Sequence, residues 1–376
     1  MADIFKSVHP RLLAWSATIA IVSSLCLLEA GQASSVDDEE HVMFFPTFAV
    51  QGNGSSWTAQ VHGWIYEPET GIIRDGLSRA LGQLISQRFG LSRAAILSDS
   101  VEAAQRFEQR TAPFLVDNQR GKRIAVTVAG ASGITEKSEE NGHFVGTVTL
   151  PAAAGSAGEW VDLRAALPAG DGRVFAGTVQ LIPRAGITVV SDIDDTIKHS
   201  EVRDKIQLGL NTFAREFRAT PGTAALYQRW ARGGGQVVFH YVSGSPFQLF
   251  PHLAEFARRD GFPEGSVHLR PFRLKDSSAL QFFGDPKKFK LDTISPILRK
   301  FKDRRFILVG DSGEHDPEVY AALASEFTNV VAIFIRDVTN ETLESPRYTK
   351  LFAGLPAGVL RRVFQQTSDL DDFTPR

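Results

Sequence analysis

The chain has 376 residues, 41 basic and 43 acidic side chains, and a hydrophobic fraction of 43%. This length exceeds what one hydrophobic core usually spans, so two domains are expected. The near balance of charge gives no basic footprint for nucleic acid, and we predict no nucleic-acid partner.

The first 33 residues have the pattern of a secretory signal peptide. Basic residues precede an uncharged apolar stretch from Leu12 to Leu28, and the small residues Gly31 and Ala33 suit a signal peptidase. Cleavage after Ala33 would also remove Cys26, the single cysteine, so the mature chain would suit an oxidising compartment. We therefore expect a secreted or periplasmic protein, with a retained N-terminal membrane anchor as the alternative.

Residues 41–182 have the pattern of a β-rich domain. Short apolar runs, such as Ile124 to Val128 and Phe144 to Leu150, are separated by Gly, Asn and Ser clusters. We predict a separate β-sandwich-like domain that joins the next domain near Pro183 to Gly186. We predict that one helix, Asp75 to Arg88, interrupts the strands and packs its apolar face into the core, with a binding helix as the alternative. The residues on that face are Leu77, Ala80, Leu81 and Leu84.

An apolar strand that starts at Gly186 ends abruptly in the polar residues Asp192, Asp194, Asp195 and Thr196. Carboxylates crowded in this way raise each other's proton affinity, so the cluster indicates a bound cation or a reacting centre. In an extended turn, Asp192 and Asp194 face the same side, where one can act as nucleophile and the other as acid and base. Capping of a turn or helix is the alternative for Asp194 and Asp195.

Two later strands also end in polar residues. The run from Gln236 to Val242 leads into Ser243, and the run from Arg305 to Gly310 leads into Asp311. Strands of this kind alternating with helices predict an α/β fold with a parallel sheet, whose ligands bind beyond the carboxyl ends of the strands. Lys290, at the start of a helical stretch, is the candidate cation that offsets the charge of a phosphate.

Together these residues resemble the four ordered motifs of the haloacid dehalogenase-like (HAD) phosphohydrolases: Asp-x-Asp-x-Thr, a strand-end Ser, a Lys, and Gly-Asp followed by another Asp. The resemblance implies a HAD-like Rossmannoid parallel sheet over residues 186–345, followed by a C-terminal tail over residues 346–376. It also implies that Asp192 is the nucleophile that takes the phosphoryl group and that Asp194 is the general acid and base.

The same resemblance implies the remaining site residues. Ser243, Gly244 and Lys290 would bind the phosphate. Mg²⁺ would be held by the Asp192 carboxylate, the Asp194 backbone carbonyl and Asp311. Thr196 and Asp316 would have supporting roles.

A closer resemblance covers roughly residues 41 to 345. It rests on the strings Ser-Asp-Ile-Asp-Asp-Thr-Ile-Lys, Tyr-Val-Ser-Gly-Ser-Pro-Phe-Gln-Leu, Lys-Leu-Asp-Thr-Ile and Gly-Asp-Ser-Gly-Glu-His-Asp-Pro-Glu. These resemble the actin-patch-protein type of phosphatidate phosphatase, which implies magnesium-dependent hydrolysis of phosphatidate to diacylglycerol. Gly244 and Phe289 stand where that family commonly has Asn and His, so substrate preference stays open.

Two other functions remain as alternatives: a phosphatase for soluble phosphate esters, and a non-catalytic envelope protein that binds lipid or a partner. The presence of both Asp192 and Asp194 favours an enzyme. The segment from Gln281 to Lys290 mixes aromatic and basic residues, which indicates either peripheral contact with an anionic membrane or ordinary core packing. The insertion between Lys198 and Thr220 is short, so we expect an open substrate pocket.

Overall fold

The computed structural model describes residues 32–52, 56–234, 236–272 and 285–375. All but the last two residues of the predicted signal peptide lie outside these ranges, as do Phe282 and Phe283 of the aromatic and basic segment. In the described part of the chain, no helix is long and apolar enough to cross a membrane.

The N-terminal part contains one hydrogen-bonded sheet with nine described strands. They are β1 (His41–Phe44), β2 (Thr47–Gln51), β3 (Trp57–Pro68), β4 (Val116–Asn118), β5 (Ala125–Val128), β6 (Ala131–Ile134), β7 (His143–Leu150), β8 (Trp160–Ala165) and β9 (Ala176–Ile182). Their order is β1-β3-β2-β9-β8-β5-β6, and the long strand β3 also pairs with β4 and β7. Except for the parallel pair β2 and β9, the pairings are antiparallel.

This sheet curls around its own core. The Glu136 amide, just after β6, donates to the Val145 carbonyl of β7 at 2.8 Å, which brings distant parts of the strand order together. The enclosed apolar side chains include Trp57, Val126 and Leu163. The β-rich character of this region agrees with the sequence pattern, but two facing sheets of a β-sandwich are not confirmed.

Three helices connect β3 to β4, where the sequence predicted one. They are α1 (Gly71–Phe89), α2 (Arg93–Asp99) and α3 (Val101–Thr111). Ser92 and Ser100 cap the second and third helices, because their side-chain oxygens accept from the amides of Ala95 and Ala103. On α1, Leu81 is buried as predicted, whereas Ala80 is exposed.

The second part is a parallel α/β sheet. Its strands are β10 (Gly186–Asp192), β11 (Val237–Pro246), β12 (Gly265–Arg270), β13 (Arg304–Asp311), β14 (Val330–Arg336) and β15 (Leu360–Phe364). Their order is β12-β11-β10-β13-β14-β15, and every neighbouring pair is parallel. The described helices of this part are α4 (Lys205–Phe213), α5 (Thr223–Arg232), α6 (Phe250–Arg259), α7 (Pro286–Lys300), α8 (Asp316–Glu326) and α9 (Pro346–Phe352). The predicted α/β class is confirmed.

The prediction that residues 346–376 form a C-terminal tail outside the sheet is wrong. Residues 346–376 supply α9, whose Tyr348 is buried, and β15, which extends the sheet by pairing with β14. The central strands are recognisable as apolar runs because they are buried on both faces. As an edge strand, β15 contains Arg361 and Arg362 and ends in the buried Phe364, so its sequence lacks that signal.

Besides the core that the first sheet encloses, the two parts share apolar clusters with each other. The ring of Phe45, which precedes β2, lies 4.3 Å from the ring of Phe247, and Phe48 contacts His240 at 5.2 Å between ring centroids. The buried Arg304 donates to the carbonyl of Pro183 at 3.0 Å. These contacts fix the joint between the two sheets near the residues where a boundary was expected.

Two buried histidines at this joint should make stability depend on pH. Burial, together with a neighbouring histidine, lowers the pKa of His143 and of His240 well below the ordinary 6.5. Both stay neutral in the fold, whereas the unfolded chain takes up their protons below pH 6.5. The stabilising contribution is therefore present above pH 6.5 and decreases by about 1.4 kcal/mol per pH unit and histidine as the pH falls toward the folded-state pKa.

Urea denaturation of the parent protein and of a His143→Asn, His240→Asn double variant between pH 7 and 5 measures this effect. We expect the variant to lose less stability over that range than the parent. The exposed His315→Asn exchange is the control and should retain the parent slope. Identical slopes for all three proteins would contradict the assignment.

Candidate active site

The predicted site residues meet at the carboxyl edge of the parallel sheet. Asp192 ends β10, Asp311 ends the neighbouring β13, and Ser243 lies near the end of β11 on the other side. Gly310 allows α8 to start close to this edge, since an ideal Cβ on it would lie 2.6 Å from Asp316 Cγ. A larger residue would force Asp316 away from the other carboxylates.

Three carboxylates form a buried acidic cluster around Lys290. Ligand oxygens of Asp192, Asp311 and Asp316 all lie within 4.8 Å of one another, and none of these residues is more than 1% exposed. Lys290 Nζ lies 2.8 Å from Asp192 Oδ1 and 3.2 Å from Glu314 Oε2, and it also contacts Asp316 Oδ1. One ammonium group thus forms ion pairs with several carboxylates.

The electrostatics of the acidic cluster show an excess of negative charge. Burial and the neighbouring acids raise the pKa of Asp192 and of Asp311 well above the ordinary value, although Lys290 opposes the shift. Burial alone would lower the pKa of Lys290, but Asp192 and Asp316 raise it well above its usual range. A further cation would relieve this repulsion and hold the carboxylates in their ionised form.

The oxygens of the acidic cluster fit a magnesium ion. Asp192 Oδ2 and Asp311 Oδ2 are buried and accept no hydrogen bond from any described residue. Oxygen donors of this kind are the ligands that Mg²⁺ prefers. Asp316 differs, because Lys290 engages its Oδ1 and the Asp311 amide donates to its Oδ2 at 3.2 Å. Asp192 and Asp311 therefore each keep a buried oxygen without a described donor, whereas both oxygens of Asp316 are hydrogen-bonded.

Asp194 has different surroundings from Asp192. Its carboxylate receives Lys198 Nζ at 2.8 Å and the hydroxyls of Ser200, Ser243 and Ser245 at 2.7, 2.9 and 3.2 Å. Burial would raise the pKa of Asp194, but the Lys198 charge and these hydrogen bonds together lower it to about 2. The side chain is therefore ionised, and Ser243, expected on the phosphate, donates here to Asp194.

Asp195 stabilises the loop that follows the first motif. Its φ of +54° is in the left-handed region, and its carboxylate accepts from the amides of Ser200, Glu201 and Val202 at 2.7 to 2.9 Å. A turn-capping role therefore applies to Asp195 but not to Asp194. Thr196 is buried, and its hydroxyl has no hydrogen-bond partner among the described residues.

Four residues of the site were not predicted from the sequence: Lys198, Ser200, Ser245 and Glu314. Lys198 and Glu314 lie inside the motif strings, and a charged residue directly after the apolar Ile197 was the available signal for Lys198. Nothing local shows that the loop folds back so that Ser200 reaches Asp194.

A cavity of about 170 Å³ opens beside Asp194. Gly244 and Ser245 line it, which places the predicted Gly244 at its wall. The end of α1, at Arg88 and Phe89, lines the same cavity. The expectation that the insertion after Lys198 leaves the pocket open is incomplete, because a helix from the N-terminal part forms another wall.

Comparison with known proteins agrees with this geometry. Residues 187–337 match a family model described as the catalytic domain of phosphatidate phosphatase APP1. The chain is 35% identical over 166 residues to phosphatidate phosphatase APP1 of Saccharomyces cerevisiae, which covers 43% of this chain and 28% of the yeast protein. It is 32% identical over 175 residues to an uncharacterized protein of Schizosaccharomyces pombe, covering 45% of this chain and 28% of that protein.

The chain thus spans less than a third of the length of these curated relatives. The matched segment contains Asp192, Asp194, Ser243, Lys290 and Asp311 but excludes α1 to α3. The predicted resemblance to the actin-patch-protein type of phosphatidate phosphatase is confirmed for this segment.

Proposed function

We propose, from the match of residues 187–337 and the geometry at the carboxyl edge of the sheet, that this chain is a magnesium-dependent phosphatase with phosphatidate as its preferred substrate. The observation that carries the proposal is the buried Asp192 carboxylate: its Oδ1 lies 2.8 Å from Lys290 Nζ, its Oδ2 has no hydrogen-bond donor among the described residues, and it adjoins Asp311. An ionised carboxylate here can bond to a phosphorus atom through one oxygen and to a metal ion through the other.

The reaction begins with Asp192. Lys290, 2.8 Å from Oδ1, favours the ionised form of Asp192, and one carboxylate oxygen bonds to phosphorus while the bond from phosphorus to the leaving oxygen breaks. Asp194 donates a proton to that oxygen and then takes a proton from the water that hydrolyses the aspartyl-phosphate. Asp192, Asp311 and the Asp194 carbonyl would hold magnesium, and its positive charge would stabilise the phosphate oxygens.

Asp194 must take up a proton before it can donate one. In the resting site its pKa is about 2, so it starts as a base. A phosphate dianion next to it disfavours the carboxylate, and a Ser243 hydroxyl that turns to the phosphate no longer lowers the Asp194 pKa. Both changes favour proton uptake by Asp194 once substrate is present.

An assay of phosphate release from phosphatidate in mixed micelles and from soluble phosphate monoesters, with magnesium and with a chelator, tests the proposal. We expect magnesium-dependent turnover with the highest kcat/KM for phosphatidate. Faster turnover of a soluble ester would favour the soluble-ester phosphatase, and no turnover of any monoester would favour the non-catalytic envelope protein.

Metal binding should distinguish Asp311 from Asp316. We expect Asp311→Asn to weaken magnesium binding by about tenfold or more, because a free coordinating oxygen is lost, and Asp316→Asn to weaken it less. Isothermal titration of each variant with Mg²⁺ measures the order. Calcium should support little turnover, since its looser coordination misplaces the reacting groups. The reverse order of the two variants would make Asp316 the direct ligand.

We further propose that residues 1–33 direct export, as a cleaved leader or as an anchor, and that the exposed Lys287 and Lys288 contact an anionic membrane. Each lysine near such a surface contributes about 1 kcal/mol of attraction at low salt. The fraction of protein that sediments with phosphatidate-containing vesicles should therefore decrease in the Lys287→Gln, Lys288→Gln double variant. The decrease should be smaller at high salt. Unchanged sedimentation would remove these lysines from any membrane contact.

A further inference from the structure

The cavity beside Asp194 receives side chains from two parts of the chain. Asp194, Ser245 and Glu314 belong to the segment that matches the phosphatase family model, whereas Arg88 and Phe89 lie about a hundred residues upstream of Asp194. The family match therefore describes only part of the wall of this cavity.

The position of the leaving group follows from the role proposed for Asp194. A carboxyl group that protonates the leaving oxygen must touch it, so the alcohol part of the substrate lies on the Asp194 side. The phosphate itself lies toward Asp192 and Lys290. The cavity lined by Arg88 and Phe89 is thus the space next to the leaving group.

Several contacts hold the helices of the N-terminal part against α4 of the catalytic part. The Phe89 and Phe213 rings lie 5.9 Å apart, and an ideal Cβ on Gly209 would be 2.7 Å from Phe89 Cβ, so α1 and α4 approach closely. The buried Arg110 of α3 donates to the carbonyl of Thr212 at 2.9 Å. These contacts make the end of α1 a fixed wall.

A second group of contacts fixes α2 in the same place. Asp99, at the end of α2, pairs with Arg215 just beyond α4, and the shortest of their hydrogen bonds is 2.7 Å. Arg215 lies within the segment matched by the family model, and Asp99 lies outside it. The N-terminal helices are therefore joined to the catalytic part by charge as well as by apolar packing.

Besides the acids Asp194 and Glu314, the lining of the cavity includes cations and apolar surface. Arg88 and Arg270 supply guanidinium groups, while Phe89, Val202 and Leu208 supply hydrocarbon. Guanidinium groups donate to ester and hydroxyl oxygens, and the hydrocarbon surface favours an alkyl chain. A leaving group that carries both oxygen acceptors and an apolar part matches this lining.

We propose, on the basis of the function proposed above, that the C-terminal end of α1 forms the leaving-group subsite, in which Arg88 binds oxygens of the diacylglycerol part of phosphatidate. The N-terminal part of the chain then determines specificity, and the segment matched by the family model supplies the phosphate site. Leu208 of α4 provides the facing apolar surface for the first carbons of the acyl chains.

Binding to the full chain with Asp192→Asn tests the inference without requiring turnover. Dioctanoyl phosphatidate and inorganic phosphate are titrated into this parent, into parent with Arg88→Gln, and into parent with Arg79→Gln, all with magnesium. Arg79 is the matched control, because it is exposed on the same helix and does not line the cavity. We expect Arg88→Gln to weaken phosphatidate binding about tenfold, as for loss of a charged hydrogen bond, and to leave phosphate binding unchanged.

Leu208→Asn provides a second variant that does not depend on Arg88, and it should weaken binding of phosphatidate but not of phosphate. Thermal melting of each variant reports whether the fold is kept. Equal affinity of parent and both variants for phosphatidate would overturn the inference, as would equal losses for the two ligands or a parent that binds phosphate alone. Turnover of the wild-type chain is measured separately, so a phosphatase with no α1 subsite is distinguishable from a chain with no phosphatase activity.

Discussion

Replacement of Asp192 by Asn is expected to abolish phosphate release and to remove any hydroxylamine-sensitive phosphoenzyme. The amide keeps the shape of the side chain and can still accept the hydrogen bond from Lys290, but it does not form the acyl phosphate bond. Phosphate release and trapping of labelled enzyme in acid measure the two effects. Asp194→Asn is the matched comparison, because loss of a general acid and base slows turnover by about 10²- to 10⁴-fold yet leaves the nucleophile in place.

The free energy of unfolding of Asp192→Asn tests the electrostatics of the acidic cluster. Burial raises the pKa of Asp192 well above its ordinary value, so the ionised carboxylate is unfavourable in the fold without a bound cation. We therefore expect Asp192→Asn to keep or increase the free energy of unfolding when a chelator is present. Normal turnover, or a phosphoenzyme that persists in this variant, would assign the nucleophile to another residue.

Replacement of Lys290 by Met should cause the largest loss of stability at this site. Lys290 is 2% exposed and contacts the buried carboxylates of Asp192 and Asp316. Removing one partner of a buried ion pair leaves uncompensated charge and costs about 3 to 5 kcal/mol. Urea denaturation with a chelator measures the loss, and turnover should also fall because Asp192 is no longer held in its ionised form.

Lys288→Met on the same helix is the control. The Lys288 side chain is 73% exposed and pairs with Asp292 at the surface, where removal typically changes stability by less than about 1 kcal/mol. Magnesium should restore part of the stability lost in Lys290→Met, since it also neutralises the carboxylates. Equal losses in the two variants would show that Lys290 does not compensate the acidic cluster.

The positions of Asp192, Ser243 and Asp311 could be predicted because the sequence patterns that indicate them are local. Apolar runs buried on both faces identify parallel strands, and the carboxyl ends of such strands lie at one edge of the sheet. Asp192, Ser243 and Asp311 therefore had to lie near one another, and the structure places them at the ends of β10, β11 and β13. Lys290 was predicted at the start of a helical stretch, whereas the helix α7 begins at Pro286 and Lys290 lies inside it.

Other features required the tertiary structure. The sequence of β15 does not predict a strand, because an edge position does not demand the continuous apolar pattern of a central strand. The sequence predicted one helix between β3 and β4, and the structure has three α-helices there. The close contact of α1 with α4 at Gly209 could not be predicted, because no periodic pattern in the sequence indicates it.

The sequence by itself determined the chemistry that each motif offers and the sheet edge at which the motifs meet, since strand periodicity and residue type are properties of a few neighbouring residues. Only the tertiary structure decided how those groups are partnered. Lys198 lowers the pKa of Asp194 and keeps it ionised, whereas burial and neighbouring acids raise the pKa of Asp192 and Asp311 despite Lys290. Both effects depend on distances across loops and on burial in a shared core. Burial and charge between residues far apart in the chain set the electrostatics, so the sequence identified the carboxylates without distinguishing their states.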